Sequence, residues 1–240
     1  MGLGMGLAFW SGAASFTPKS IPGLTAWFDA SQITGVANGA SLATWPDESG
    51  NGYNATQATA AYQPNYYSST SGKTVNGLPA VWFESAPDGM ATTSFASLLT
   101  IGTVFSVASI GNSTGYVYDG TSSGERWAVG AGLLATDEIS SFAGVGIGYS
   151  DSIYPTPISQ WTATYTNGAS TGVLRLNGTT QATGNPGPYS LGGLTIGNRY
   201  SFSNGISIAP VCEIIVYDSI LSSADISKVE SYLKSKWGTP

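Results

Sequence analysis

The sequence predicts an all-β protein, two antiparallel sheets packed as a sandwich, with a single α-helix at the C-terminal end. Three observations carry this. Short runs of β-branched and aromatic residues recur along the chain, separated by glycine-containing turns. Charged residues make up only 9% of 240, against 32 glycines and 13 tyrosines, so hydroxyls and amides replace charge as the polar complement. Helical spacing organises the last stretch, where Ile226, Val229, Leu233 and Trp237 form one apolar stripe. A hydrophobic fraction of 42% is ample for one large core, and no apolar run reaches membrane-spanning length.

The chain divides into an arm, residues 1–20, and a domain, residues 21–240. The arm is apolar and glycine-interrupted and carries no charge before Lys19, so it lacks the basic start of a secretory signal. Two readings remain, a cleaved signal of unusual form and a flexible arm that docks on a partner. Phe9, Trp10 and Phe16 bare on a free arm would be costly, which favours docking.

Pro22-Gly23 opens the domain, and Leu24 to Ala30 reads as its first strand. A turn at 35–39 and a short strand at Ala43–Trp45 lead into Asp47 to Thr56. That loop is expected to be stapled by the side chains of Asp47 and Asn51. The same two residues are the only candidate calcium ligands, but the spacing of an EF-hand is absent, so no cofactor or metal is expected. Residues 62–73 read as loop, Ala80 to Glu84 as strand, and Ala86 to Met90 as turn. Thr103 to Ile110 alternates well, and short strands follow at 116–118, 126–129, Phe142 and 145–149. Gln160–Tyr165 and Gly172–Leu176 pair as a hairpin, and Asn177-Gly178 is a two-residue turn into Thr179–Gln181. Leu194–Gly197 is a further strand. Val211–Tyr217 is apolar on both faces, with Cys212, Ile214 and Val216 on one side, so it belongs in the interior. Ser222 caps the terminal helix, Asp225 suits its positive end, Lys234 and Lys236 its negative end, and Gly238 stops it.

Four segments, LTAWFDAS from Leu24, WPDESGNGYNATQ from Trp45, NGLPAVWFE from Asn76 and the ending from Glu213 to Gly238, stand in this order. GVLRLNGTTQ from Gly172 and LTIGNR from Leu194 fit between them. Together they resemble the laminin-G-like group of the concanavalin A-like lectin/glucanase superfamily over residues 22–238. The resemblance implies a two-sheet jelly roll with a concave face. It also implies use as an accessory module on extracellular enzymes, adhesins or bacteriophage structural proteins, and a fold shared more widely than any one activity.

The chain has no histidine, which removes Ser-His-Asp and Cys-His triads and histidine metal sites. Its one cysteine, Cys212, sits in the expected core strand. A net charge of −6 with no basic cluster outside the helix argues against nucleic acid. The glucanase branch carries its catalytic acids as E-x-D-x-x-E or E-x-D-x-E on one strand, and no such string occurs; Glu213 reads as a hydrogen-bonding acid. No enzymatic activity is therefore expected. Among the aromatics, Tyr116, Tyr118 and Trp127 are the candidates for stacking on a glycan. The expectation is a virion structural or decoration protein, in a phage head or tail, with Phe9, Trp10 and Phe16 in the assembly arm. Its partners would be capsid or tail neighbours and copies of itself. The alternative is a carbohydrate-binding module on a cell or virion surface, with cell-surface glycans as partners. Neither needs a membrane span.

Overall fold

In the computed structural model, which describes residues 16–135, 137–151, 153–203 and 209–240, the chain is a sandwich of two antiparallel sheets. The first runs from edge to edge as β15 (Thr179–Gly184), β14 (Gly172–Leu176), β13 (Ser159–Thr166), β8 (Ile101–Ala108) and β17 (Ala209–Tyr217). It continues with β6 (Ala80–Phe83), β5 (Asn65–Tyr67) and β2 (Ala40–Ser41), while β1 (Leu24–Asp29) pairs with the rest of β17. The second sheet runs β12 (Gly146–Ser150), β11 (Glu138–Phe142), β10 (Ala128–Ala131), β9 (Tyr116–Asp119) and β16 (Thr195–Ile196). It ends with β7 (Met90–Thr92), β4 (Ala55–Thr56) and β3 (Thr44–Trp45).

Strand β17 is the axis of the first sheet. It meets β8 along one edge and divides the other between β6, at Ala209–Val211, and β1, at Glu213–Tyr217. Both edges are hydrogen-bonded and all nine residues are buried, as its two apolar faces require. Burial pushes the Cys212 thiol well above its ordinary pKa, so it behaves as a core hydrophobe.

Helix α1 (Ser223–Trp237) covers the outside of this sheet, against β8 and β13. Its ends follow the residues expected. Ser222 accepts from the Asp225 N–H and donates to the Asp225 carboxylate, and Gly238, at φ 67°, donates its N–H to the Lys234 carbonyl. Glu230 ties the helix to the sheet, accepting from Thr162 and pairing with Arg175. The Asn177-Gly178 turn has positive φ at both residues, as a tight hairpin demands. Asp47 accepts from the N–H groups of Trp27, Ser49 and Tyr53, and Asn51 donates to the Leu24 and Thr25 carbonyls, so the loop is stapled from both ends.

Three local expectations are corrected. Residues 65–67, expected as loop, form β5 because Tyr66 turns inward, pairs with Val81 and donates its hydroxyl to the Ile33 carbonyl. Met90, expected in a turn, begins β7, where it is fully buried opposite Ile196. Arg126 and Trp127, expected in a strand, precede β10. Of the proposed arm, Phe9 and Trp10 lie outside the described residues. Phe16 packs on Tyr232 of α1 with ring centroids 5.6 Å apart, and Pro18 accepts a hydrogen bond from the Tyr217 hydroxyl.

Candidate functional site

The two faces of the sandwich differ in cover. The one α-helix among the described residues lies on the first sheet, and no helix lies on the outside of the second. The glycan candidates all belong to the second sheet or its connections, but they separate by depth. Tyr118 is 0% exposed, its hydroxyl 3.0 Å from that of Tyr165 in the facing sheet. Trp127 is also 0% exposed; it stacks on Tyr165 at 4.6 Å and 7° and donates its indole N–H to the Tyr189 carbonyl. Neither ring offers a face to solvent, so neither is placed to stack on a sugar. These are core aromatics that bridge the sheets.

Tyr116 differs because β9 carries a bulge. Tyr118 pairs with Val129 and Tyr116 with Gly130, so Val117 is the extra residue and the period-two alternation breaks there. Tyr116 thereby leaves the company of Tyr118 and lines a cleft of about 260 Å³ with Arg126, Gly132, Leu133, Phe142 and Arg199. Four segments build this cleft: β9 with the turn into β10, the β10–β11 connection, the end of β11, and the loop after β16. Gly132, at φ 67°, lies so close to the Ser113 carbonyl that a side chain there would collide with backbone.

An ion pair anchors the cleft. Asp119 ends β9 and Arg126 follows the turn, and the guanidinium meets the carboxylate side-on, Nε to Oδ1 at 3.0 Å and Nη2 to Oδ2 at 2.9 Å. The carboxylate also accepts from the Gly120 and Tyr200 N–H groups. Burial pulls the Arg126 pKa down, but the hydrogen bonds and charge of Asp119 outweigh it and carry it above the ordinary value. The Arg126 Cζ lies 4.9 Å from the centroid of Phe142, 5.0 Å from Tyr200 and 6.0 Å from Tyr116, so three rings surround the guanidinium. Arg199 stands next to it, 5.1 Å from the Tyr200 ring, and makes no ion pair among the described residues.

From the sequence, none of Asp119, Arg126, Phe142, Arg199 and Tyr200 is marked as a site residue. One signal was present, an acid and an arginine flanking a glycine-bounded turn, Asp119-Gly-Thr-Ser-Ser-Gly-Glu-Arg126, which a hairpin sets side by side. Nothing local announces Phe142 or Arg199.

The other acids do different work. Glu213 accepts from the indoles of Trp27 and Trp237, each at 2.7 Å, and from the Tyr232 hydroxyl at 3.0 Å, and it pairs with Lys236 at 2.8 Å. Asp29 shares that lysine. Burial and then the charge of Asp29 push the Glu213 pKa up, while Lys236 opposes them. Asp29 and Glu213 are both buried beneath α1, where a substrate does not reach. The expected hydrogen-bonding role of Glu213 is what the structure shows.

No protein-family model matches the sequence, and a search of curated proteins finds no sequence match. Solved structures share the fold. An arabinofuranosidase complexed with arabinofuranosyl-α-1,2-xylobiose superposes with a TM-score of 0.59 at 18% identity, covering 82% of this chain and 51% of that one. A Trypanosoma rangeli sialidase in complex with a difluorinated nononic acid superposes at 0.54 and 12% identity, covering 90% of this chain and 33% of that one. Domain 4 of AbnA, an extracellular arabinanase of Geobacillus stearothermophilus in complex with arabinotriose, superposes at 0.53 and 12%, covering 86% of this chain and 98% of that domain. The chain thus spans about a third of the sialidase and half of the arabinofuranosidase. What it has in common with all three is the two-sheet β-sandwich.

Proposed function

We propose that this domain is a non-catalytic carbohydrate-binding module displayed on a cell or virion surface, and that its ligand enters the cleft on the sheet opposite the helix. The observation that carries the reading is the cleft itself, where Tyr116 and Phe142 supply ring surface and Arg126 and Arg199 supply hydrogen-bond donors. Apolar walls with a few fixed polar groups are what a small-molecule site needs. The likeness to AbnA domain 4, whose structure holds arabinotriose, supports it. The one carboxylate of this cluster, Asp119, is committed to Arg126 and two backbone N–H groups, which leaves no carboxylate pair for glycoside hydrolysis. The reading is tested by titrating labelled protein with neutral and acidic oligosaccharides. Amide shifts should gather at Gly132, Leu133 and Phe142 and vanish in Phe142→Ala. Shifts that gather elsewhere, or none with any sugar, overturn it.

Assembly is a second reading, and the packing of Phe16 on Tyr232 favours it. Phe16 borders a concavity of about 740 Å³ along α1, lined also by Ala224, Ser227, Lys228 and Lys236. Residues 1–20 would then act as an arm that joins the domain, residues 21–240, to virion neighbours or to copies of itself. Light scattering on the full chain beside one starting at Ile21 tests this. Loss of an oligomer on truncation supports the arm, and identical monomers overturn self-assembly through it.

A further inference from the structure

We infer that the cleft takes a sugar acid, its carboxylate held between Arg126 and Arg199. This rests on the carbohydrate reading above and adds the charge of the ligand. The protein as a whole carries −6, yet the cleft is lined by two arginines and by no acid among the described residues. Asp119 behind it neutralises only one of them, leaving one positive charge in excess among the residues of the cleft.

The two guanidiniums are held differently. Asp119 engages Nε and Nη2 of Arg126 and leaves Nη1 outside the pair, while Phe142 and Tyr200 flank the group and fix its plane. Arg126 is thus a preorganised donor that keeps its charge. Arg199 has no carboxylate, and its buried Nε has no hydrogen-bond partner among the described residues. That Nε is shut away from the cleft, so the Arg199 side chain bears on a ligand through its charge and the rest of its fork. A planar carboxylate matches the guanidinium fork, whose donors lie in one plane. The volume, about 260 Å³, lies just below the roughly 300–1,000 Å³ of drug-sized sites and suits one sugar ring better than a chain. Tyr116 and Phe142 then stand where ring carbons would lie.

The test is calorimetric titration of the full chain with matched sugars. The pairs are trigalacturonate against its methyl ester, and sialyllactose against lactose, with a galactose sulfate as a third probe. The carboxylated member of at least one pair should bind about tenfold or more tighter than its neutral partner, the scale of one charge-assisted hydrogen bond. Which pair responds tells a uronic acid from a nonulosonic acid. Arg199→Gln should remove most of the preference, weakening the carboxylated member far more than its neutral partner, and Arg199→Lys should keep part of it. Equal affinity for charged and neutral partners overturns the inference and leaves the carbohydrate reading standing. A preference that survives Arg199→Gln, or a sulfate bound more tightly than either carboxylate, also overturns it. Failure of every sugar to bind overturns both.

Discussion

Among the described residues, two ion-pair clusters have carboxylates almost wholly shut from solvent, one associated with each sheet, and they are finished to different degrees. Under α1, Lys236 joins Asp29 and Glu213, and two indoles and a phenol donate to or approach the same carboxylates. One cation serves two acids, and the helix closes over them. On the second sheet one acid serves Arg126, and among the described residues the neighbouring Arg199 has no acid and no helix covers the group. The first arrangement is surrounded by its own chain and ties the last element of the fold to the first strand. The second leaves Arg199 without an ion-pair partner among the described residues, at the wall of a cleft. The difference teaches that a buried ion pair can serve the fold alone, as Lys236 with Asp29 and Glu213 does, and that a cleft has to be argued from its lining.

The largest effect should come from breaking the finished cluster. Lys236→Met leaves two buried carboxylates without a counter-charge, and we expect a loss of about 4 kcal/mol in urea unfolding, the scale for removing one partner of a buried pair. Arg126→Met should cost somewhat less, about 3 kcal/mol, because Asp119 keeps its two backbone donors. If the two variants reverse in order, the structural and the binding cluster have been assigned the wrong way round. The comparison sharpens with Arg199→Gln, which should alter stability by no more than about 0.5 kcal/mol, the range for a side chain with no structural partner, while changing ligand preference.

Alkali should act on the region between the sheets and beneath the helix together. Burial raises the phenol pKa values of Tyr118, Tyr165, Tyr217 and Tyr232, and pushes that of Tyr149 up to about 12. The folded state therefore holds these protons above pH 10, where the unfolded chain gives them up. Their contribution is complete below pH 10 and is lost as pH rises, through about 12 for Tyr149. Phenolate absorbance from these five tyrosines should appear only at high pH, together with unfolding. A single transition near pH 10 in protein that is still folded would contradict the burial.

Much of the fold was readable because its signals are local. The Ser222 cap, the Asn177-Gly178 turn, the stapled Asp47 loop and the doubly apolar strand at Val211–Tyr217 each depend on residues within a few positions, and each forms as expected. The two glycan candidates that proved to be core, Tyr118 and Trp127, could not be sorted by type. An aromatic suits a core and a binding face equally well, and only depth separates them. Tyr116 escaped the alternation rule because one extra residue, Val117, resets the face on which the following side chains fall.

By itself, then, the sequence determined the two-sheet class, the capped terminal helix, the absence of histidine chemistry and a charge-poor polar surface. These follow from composition and from spacings of two to four residues, over which backbone geometry dictates which side chains share a face. The tertiary structure alone decided which sheet the helix covers. It also decided that Asp119, Arg126, Phe142 and Arg199 meet, because strand order brings together segments up to 80 residues apart through hydrogen-bonded pairings that no local pattern encodes.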